Sequence, residues 1–268
     1  MPVTLEPLTQ HLPAWLLVLF RITGIFLYAP IFGSVLVPGR VKVMLALGLS
    51  FCVYPMLLDP GRPSVVHLLP VIENGLSFWS LTTLVVAELL IGLVIGYGAG
   101  LPLVGMRWGG RVIAQQIGLG IAEVFNPGEE QSGSVSELFY LMALMAFINL
   151  GGLHLLLRTL VDSFGAVPLG GFRVDHQVID MIVGLLMTMV HLAMRVAAPL
   201  LCLVFLETIA TGFIARTVPQ LNLLSIGFAV RILIGTLLVS AALNAKLDVV
   251  VESMHSTLST VARFFSPA

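Results

Sequence analysis

Apolar residues run along this chain in blocks long enough to cross a bilayer, and its few charges stand almost singly inside or between those blocks. A helix needs about 20 mostly apolar residues to pass through the hydrocarbon layer. The run 13–37 is interrupted only by Arg21, the run 76–101 only by Glu88, and the run 138–157 holds no Asp, Glu, Lys or Arg. The run 181–205 contains His191 and Arg195, and the run 223–245 contains Arg231. Each predicts a membrane-crossing helix.

Two further runs are short for a straight crossing. Residues 43–58 are uncharged but contain Pro55, and residues 112–125 carry Gln115, Gln116 and Glu123 together with Gly118 and Gly120. A brief apolar segment is usually a buried core helix or a re-entrant piece. Irregular backbone at membrane depth survives only where protein or a water-filled cavity surrounds it. Gly109, Gly110 and Arg111 precede the second run and Asn126, Pro127 and Gly128 follow it, so breakers on both sides mark it as a separate unit. It either lines or plugs an internal space, or forms a helix corner at a bundle interface.

The C-terminal stretch 247–265 differs in kind. Leu247, Val251, Met254, Leu258, Val261 and Phe265 recur at helical spacing among Asp248, Glu252, His255 and Arg263, which predicts an amphipathic helix whose apolar face takes a partner helix or the membrane interface. The polar stretches 59–74, 126–137 and 170–180 are only loop-sized, so residues 1–268 read as a single membrane-embedded domain. Arg40, Lys42, Arg107 and Arg111 follow apolar runs, whereas Glu129, Glu130 and Glu137 share one loop. Under the positive-inside tendency the basic loops face the cytoplasm.

Composition removes most soluble functions. Of 268 residues, 58% are hydrophobic and 10% charged, and the mean hydropathy is +1.04, far above that of water-soluble domains. Thirteen basic residues nearly balance fourteen acidic ones, so no charge excess points to nucleic acid. The N-terminus lacks the basic segment of a cleavable signal, which leaves insertion to the helices themselves. Cys52 and Cys202 lie far apart in apolar runs and read as small core residues, not as a redox or metal pair.

Candidate chemistry is sparse. His154 and His191 stand in separate apolar runs with no HExxH or His/Cys cluster, and read as core histidines. No GxSxG elbow and no Walker A motif occurs, so neither catalytic residues nor a cofactor or metal site is expected. Arg21, Glu88, Arg195 and Arg231 lie at membrane depth, where a charge costs roughly 2.5–3.5 kcal/mol on insertion scales unless protein or water faces it. Three are arginines, which hold their proton and suit a fixed ion pair better than a proton relay. Glu88 is expected to pair with one of them. Gly92, Gly96 and Gly100 make successive small-xxx-small steps, repeated by Gly105 and Gly109, for close packing either within the chain or against another subunit.

Four segments in register carry a resemblance: FRITGIFLYAPIFGSVLVPGRVK (20–42), QQIGLGIAEVFNP (115–127), GLHLLLRTLVDSFGAVPLG (152–170) and VPQLNLLSIGF (218–228). Together they are similar to the FliR family of flagellar export-gate proteins, which has SctT-type relatives in virulence type III secretion. The resemblance implies an all-α integral membrane protein of bent helical hairpins, assembling with FliP and FliQ and contacting FlhB in a helical export gate. It implies a multi-pass subunit at the flagellar basal body in the bacterial inner membrane, forming part of a closed channel for unfolded flagellar proteins, without catalysis. It places the gate-closing loop on 116–125, so that Ile117, Leu119, Ile121 and Phe125 fill the pore beside Gln116, while Gly118 and Gly120 let the loop fold tightly and withdraw. Hydrophobic constrictions of this kind gate by dewetting. Pro219 and Gln220 match the family's PQ dipeptide and are expected to shape a helix break. The virulence homologue is the nearest alternative. A small-solute or ion transporter would need inverted repeats and mid-membrane carboxylates.

Overall fold

The computed structural model describes residues 6–34, 37–58, 78–118, 133–172, 176–217, 223–245 and 247–265. Among them every regular element is a helix: α1 (Glu6–Tyr28), α2 (Gly39–Leu57), α3 (Phe78–Ile117), α4 (Ser134–Asn149), α5 (Gly152–Ala166), α6 (His176–Thr217), α7 (Leu223–Ala245) and α8 (Leu247–Phe264). Hydrocarbon offers no hydrogen bonds, so a chain this apolar satisfies its backbone within each helix. Four helices, α1, α2, α3 and α6, are long and apolar enough to cross a membrane, or five spans if α4 and α5 count as one broken crossing. The chain is an all-α, multi-pass membrane protein.

Several boundaries differ from the sequence expectation. Residues 39–57 form a 19-residue helix of full crossing length, because Pro55 falls in its last turn, where little helix remains to be broken. The supposed breakers Gly109 and Gly110 are helical, and α3 runs unbroken through Pro102 to Ile117. These glycines are held in the helix by close neighbours. A β-carbon on Gly109 would lie 3.1 Å from the Ala193 carbonyl oxygen, and one on Gly110 would lie 2.8 Å from the Ser136 Cα. Conversely, the charge-free run 138–157 is not one helix, since Gly151 takes a left-handed conformation at φ 66° and separates α4 from α5. Hydropathy does not register that conformation, which glycine adopts without steric cost.

The helices gather into two compact units. The first comprises Met1–Gly100, Gly151–Leu185 and Ser256–Ala268. Within it α1 and α2 form a hairpin, in which the His11 ring lies 2.9 Å from the Tyr54 hydroxyl and the Trp15 and Phe51 rings stand 5.0 Å apart. Ala14, Leu17, Val18, Ile22 and Ile25 make α1 the core helix of this unit. Helix α5 buries Leu156, Leu160 and Phe164. Gly98 of α3 faces the side chain of Val261 on α8.

The second unit comprises Leu101–Leu150 and Leu186–His255. The C-terminal half of α3 packs there against α4 through Gly110 and Phe139, and against α6 through Gly105 on Met189 and Gly109 on Ala193. On α8, Val250, Met254, Leu258, Val261 and Phe265 are buried and Val251 is half-buried, while Asp248, Glu252, His255 and Arg263 are exposed. Large apolar side chains on other helices point outward, among them Met44, Phe51, Met187, Phe205 and Phe213.

Candidate functional site

The segment 116–125 begins where α3 ends. Ile117 is the last helical residue and is fully buried. It presses into a notch on α7: a β-carbon on Gly235 would overlap Ile117 Cγ1 and lie 2.8 Å from Cγ2. Gly118 closes the turn by donating its N–H to the Gln115 carbonyl at 3.2 Å. Its φ of +93° is a conformation that side-chain-bearing residues avoid. A β-carbon there would also meet the Phe228 ring at 2.9 Å. Gln116 is exposed. Ile117 is therefore packed against α7, while Leu119, Gly120, Ile121, Glu123 and Phe125 lie outside the described residues.

Where the chain returns, α4 is fastened to the same stretch of α3. Arg107 donates to Glu137 at 3.0 Å, and its guanidinium lies 4.0 Å from the Tyr140 ring centroid. Both residues of this ion pair are about two-fifths exposed, so its energetic worth is small. The close contact of Gly110 with Ser136 does more to join the two flanks, because it brings backbone against backbone.

Helix α7, which seats Ile117, is tied to α6 by a polar cluster that sequence reading missed. Arg231 donates through Nε and Nη2 to Glu207 Oε2 at 3.1 and 3.0 Å, and through Nη2 to the Thr208 hydroxyl at 2.8 Å. The Thr211 hydroxyl donates to the other Glu207 oxygen at 2.9 Å. Glu207 is nearly buried. The apolar run 181–205 stops two residues short of it; the helix continues to Thr217, and an acidic residue flanked by FL and TIATGFIA is the signal in the sequence. Pro219 and Gln220 lie outside the described residues.

The other charges at membrane depth are also paired. Arg21 and Glu88 form a wholly buried ion pair. Arg21 Nη1 donates to the Ser163 carbonyl at 3.1 Å, Nη2 donates to the Val167 carbonyl at 3.1 Å, and the Phe164 ring lies under the guanidinium at 4.3 Å. Glu88 accepts the Gly170 N–H at 2.9 Å. Three helices, α1, α3 and α5, and the turn after α5 are thus pinned at one point. Arg195 approaches Glu252 of α8 at 3.5 Å on the exposed side of the chain.

The glycine stripe on α3 is occupied from within its own unit. A β-carbon on Gly92 would overlap the Arg21 carbonyl, one on Gly96 would lie 2.6 Å from the Ile25 carbonyl oxygen, and one on Gly100 would lie 3.1 Å from that of Tyr28. The partner in each case is α1, running parallel to α3. Two other expectations are corrected. Cys52 and Cys202 are exposed and not core residues, and His154 and His191 are exposed as well. The reason is common to all four: the apolar face of a membrane helix turns toward lipid or a neighbour as readily as toward its own chain. No cluster of His, Cys, Asp or Glu able to hold a metal occurs among the described residues.

The chain is 28% identical over 240 residues to the flagellar biosynthetic protein FliR of Escherichia coli, covering 89% of this chain and 87% of that one. It is 29% identical over 256 residues to the protein of the same name from Bacillus subtilis, covering 93% of each. The Yop proteins translocation protein T of Yersinia pestis is 27% identical over 233 residues, covering 85% of each. The model of the family described as bacterial export proteins, family 1, matches residues 12–257, and this chain belongs to that family.

Proposed function

We propose that the chain is a structural and gating subunit of a flagellar-type protein export apparatus in the bacterial inner membrane. It assembles there with FliP, FliQ and FlhB and forms part of a closed passage for unfolded flagellar proteins. One observation carries the gating half of this reading. The glycine-bearing apolar segment 116–125 starts at a residue locked into α7, and its two flanks on α3 and α4 are fastened together. A short apolar segment rooted on a packed helix end is what a removable stopper requires, and a dry constriction blocks ions without any chemical step. Gly118 supports the reading by supplying the left-handed turn at which the segment leaves α3. The outward apolar residues of α2 and α6 supply surface for neighbouring subunits.

Removal of Gly118–Ile121 from the full-length chain tests it. The gate reading expects the subunit to assemble in normal amount while resting cells leak potassium ions. Unchanged potassium retention in a fully assembled variant would reject the plug. Purification of the tagged chain in mild detergent tests the assembly half: smaller helical subunits should accompany it in a large particle, and a lone chain that transports a small solute would reject the proposal. Restoration of motility in a flagellar mutant distinguishes the flagellar system from the virulence system represented by the Yersinia relative.

A further inference from the structure

We propose that α5 walls a water-filled crevice reaching the middle of the membrane, with His154, Arg158 and Asp162 along its wetted side and the turn Val167–Gly171 at its deep end. This stands on the membrane-spanning fold and is independent of the gate reading above.

Helix α5 has two faces. Leu156, Thr159, Leu160, Ser163 and Phe164 are buried, whereas His154, Arg158 and Asp162 recur every four residues and so share the other side. His154 is exposed, and the Arg158 and Asp162 side chains are 71% and 38% exposed. Their contact, from Arg158 Nε to Asp162 Oδ2, is 3.7 Å long, beyond hydrogen-bond distance. A guanidinium carries five N–H donors, and among the described residues those of Arg158 meet no acceptor. In hydrocarbon they would stay unmet beside a charge that is costly at the bilayer centre. Water supplies the missing acceptors.

The contacts of α5 fix how deep that side lies. Arg21 stands inside the apolar window His11–Tyr28 of α1, about 15 Å from one end and about 10 Å from the other at 1.5 Å per residue. That is close to the middle of a hydrocarbon layer about 30 Å thick. Arg21 donates to the Ser163 and Val167 carbonyls, and Glu88 accepts the Gly170 N–H. The last turn of α5 and the turn behind it are therefore held near mid-membrane, and Asp162 is the neighbour of Ser163. From there the polar stripe runs back about 12 Å along the helix to His154, toward the mouth.

The turn carries a second, independent sign of water. Val167 is extended and Gly170 is left-handed at φ 75°, so its backbone is not helical, and Gly165, Pro168 and Gly171 are exposed. Irregular backbone at membrane depth persists only where protein or water meets it. The Arg21–Glu88 pair to which the turn is bonded has no exposed side-chain surface, so the water stops there. The pair and the α1 core around it keep the far half of the layer closed.

Thiol labelling in native membranes tests this, in the full-length chain with Cys52 and Cys202 replaced by alanine and with His154→Cys, Arg158→Cys, Asp162→Cys or Gly165→Cys introduced singly. In membrane fragments open on both sides, the small anion 2-sulfonatoethyl methanethiosulfonate reacts at all four positions, because a thiolate forms in water and not in hydrocarbon. The four rates fall within about tenfold of one another. A polyethylene-glycol maleimide of several kilodaltons reacts at His154→Cys, and its reaction is lost at Asp162→Cys and Gly165→Cys, which the polymer is too wide to reach. Leu160→Cys, on the buried side, and a chain keeping Cys202 alone are the dry references. Variants are compared at equal membrane level, and Gly165→Cys reads the deep end if Asp162→Cys fails to accumulate. Two results overturn the proposal. No reaction of the small reagent at either deep position puts lipid or a neighbouring subunit against the stripe; equal reaction of both reagents at deep and outer positions puts α5 on an open surface outside the membrane.

Discussion

Arg21 and Glu88 meet with no side-chain surface exposed on either partner, although 67 residues separate them in sequence. Further donors and acceptors of the pair are engaged by the Ser163 and Val167 carbonyls, the Ser163 hydroxyl and the Gly170 N–H. These bonds make a buried charge tolerable, because the attraction within the pair offsets desolvation only when further hydrogen bonds support it.

Removing one partner should therefore be worse than removing both. Arg21→Leu or Glu88→Leu leaves an uncompensated buried charge and is expected to cost about 3–5 kcal/mol, seen as loss of the chain from the membrane fraction. The double leucine variant should recover part of that loss. Equal levels for single and double variants would show that the pair is not coupled.

Gly96→Leu should destabilise the packing of α1 on α3, since its β-carbon alone would stand 2.6 Å from the Ile25 carbonyl oxygen. Backbone cannot rotate aside as a side chain can, so the cost should reach or exceed the roughly 1–3 kcal/mol usual for overpacking. Thermal denaturation of the detergent-solubilised chain reads this directly. A melting temperature equal to wild type would mean that the two helices are separable.

Gly118→Ala should strain the turn at the end of α3 by about 1–2 kcal/mol, the usual penalty for an L residue in left-handed backbone, with the Phe228 contact adding to it. Potassium efflux should rise while the assembled amount is kept. Retention identical to wild type would show that this turn relaxes freely.

Arg231→Leu should be harmful because Glu207 stays behind, nearly buried, with only its Thr211 contact. Addition of Glu207→Leu should restore much of the membrane level. The comparison of the two variants by quantitative immunoblotting checks it, and an unimproved double variant would count against coupling between α6 and α7.

The sequence was most readable where the physics is that of lipid. Long apolar runs marked α1, α3, α6 and α7 because hydrocarbon sets a length, and the spacing of Met254, Leu258 and Val261 marked α8 because one helix face is apolar. Junctions were less readable. Gly109 and Gly110 look like breakers but stay helical against Ala193 and Ser136, whereas Gly151 looks no different and ends a helix. The choice between these outcomes belongs to tertiary contacts, which no local window contains. The same limit hid the site's support. The glycines and shortness of 116–125 were visible, but its seat on Gly235 and the tie from Arg231 to Glu207 depend on a helix more than a hundred residues further on.

The unbroken course of α3 has a consequence for how the protein sits. A helix of 40 residues is about 60 Å long at 1.5 Å per residue, about twice the thickness of the oily layer. That contour is more than one straight crossing uses, even at the steepest common tilt of about 40°. Its most apolar 18-residue window has a mean hydropathy of 2.1, whereas its C-terminal turns carry Arg107, Arg111, Gln115 and Gln116. The surplus length is put to use within the chain: the turns of α3 that carry Gly105, Gly109 and Gly110 pack on Met189 and Ala193 of α6 and on Ser136 of α4.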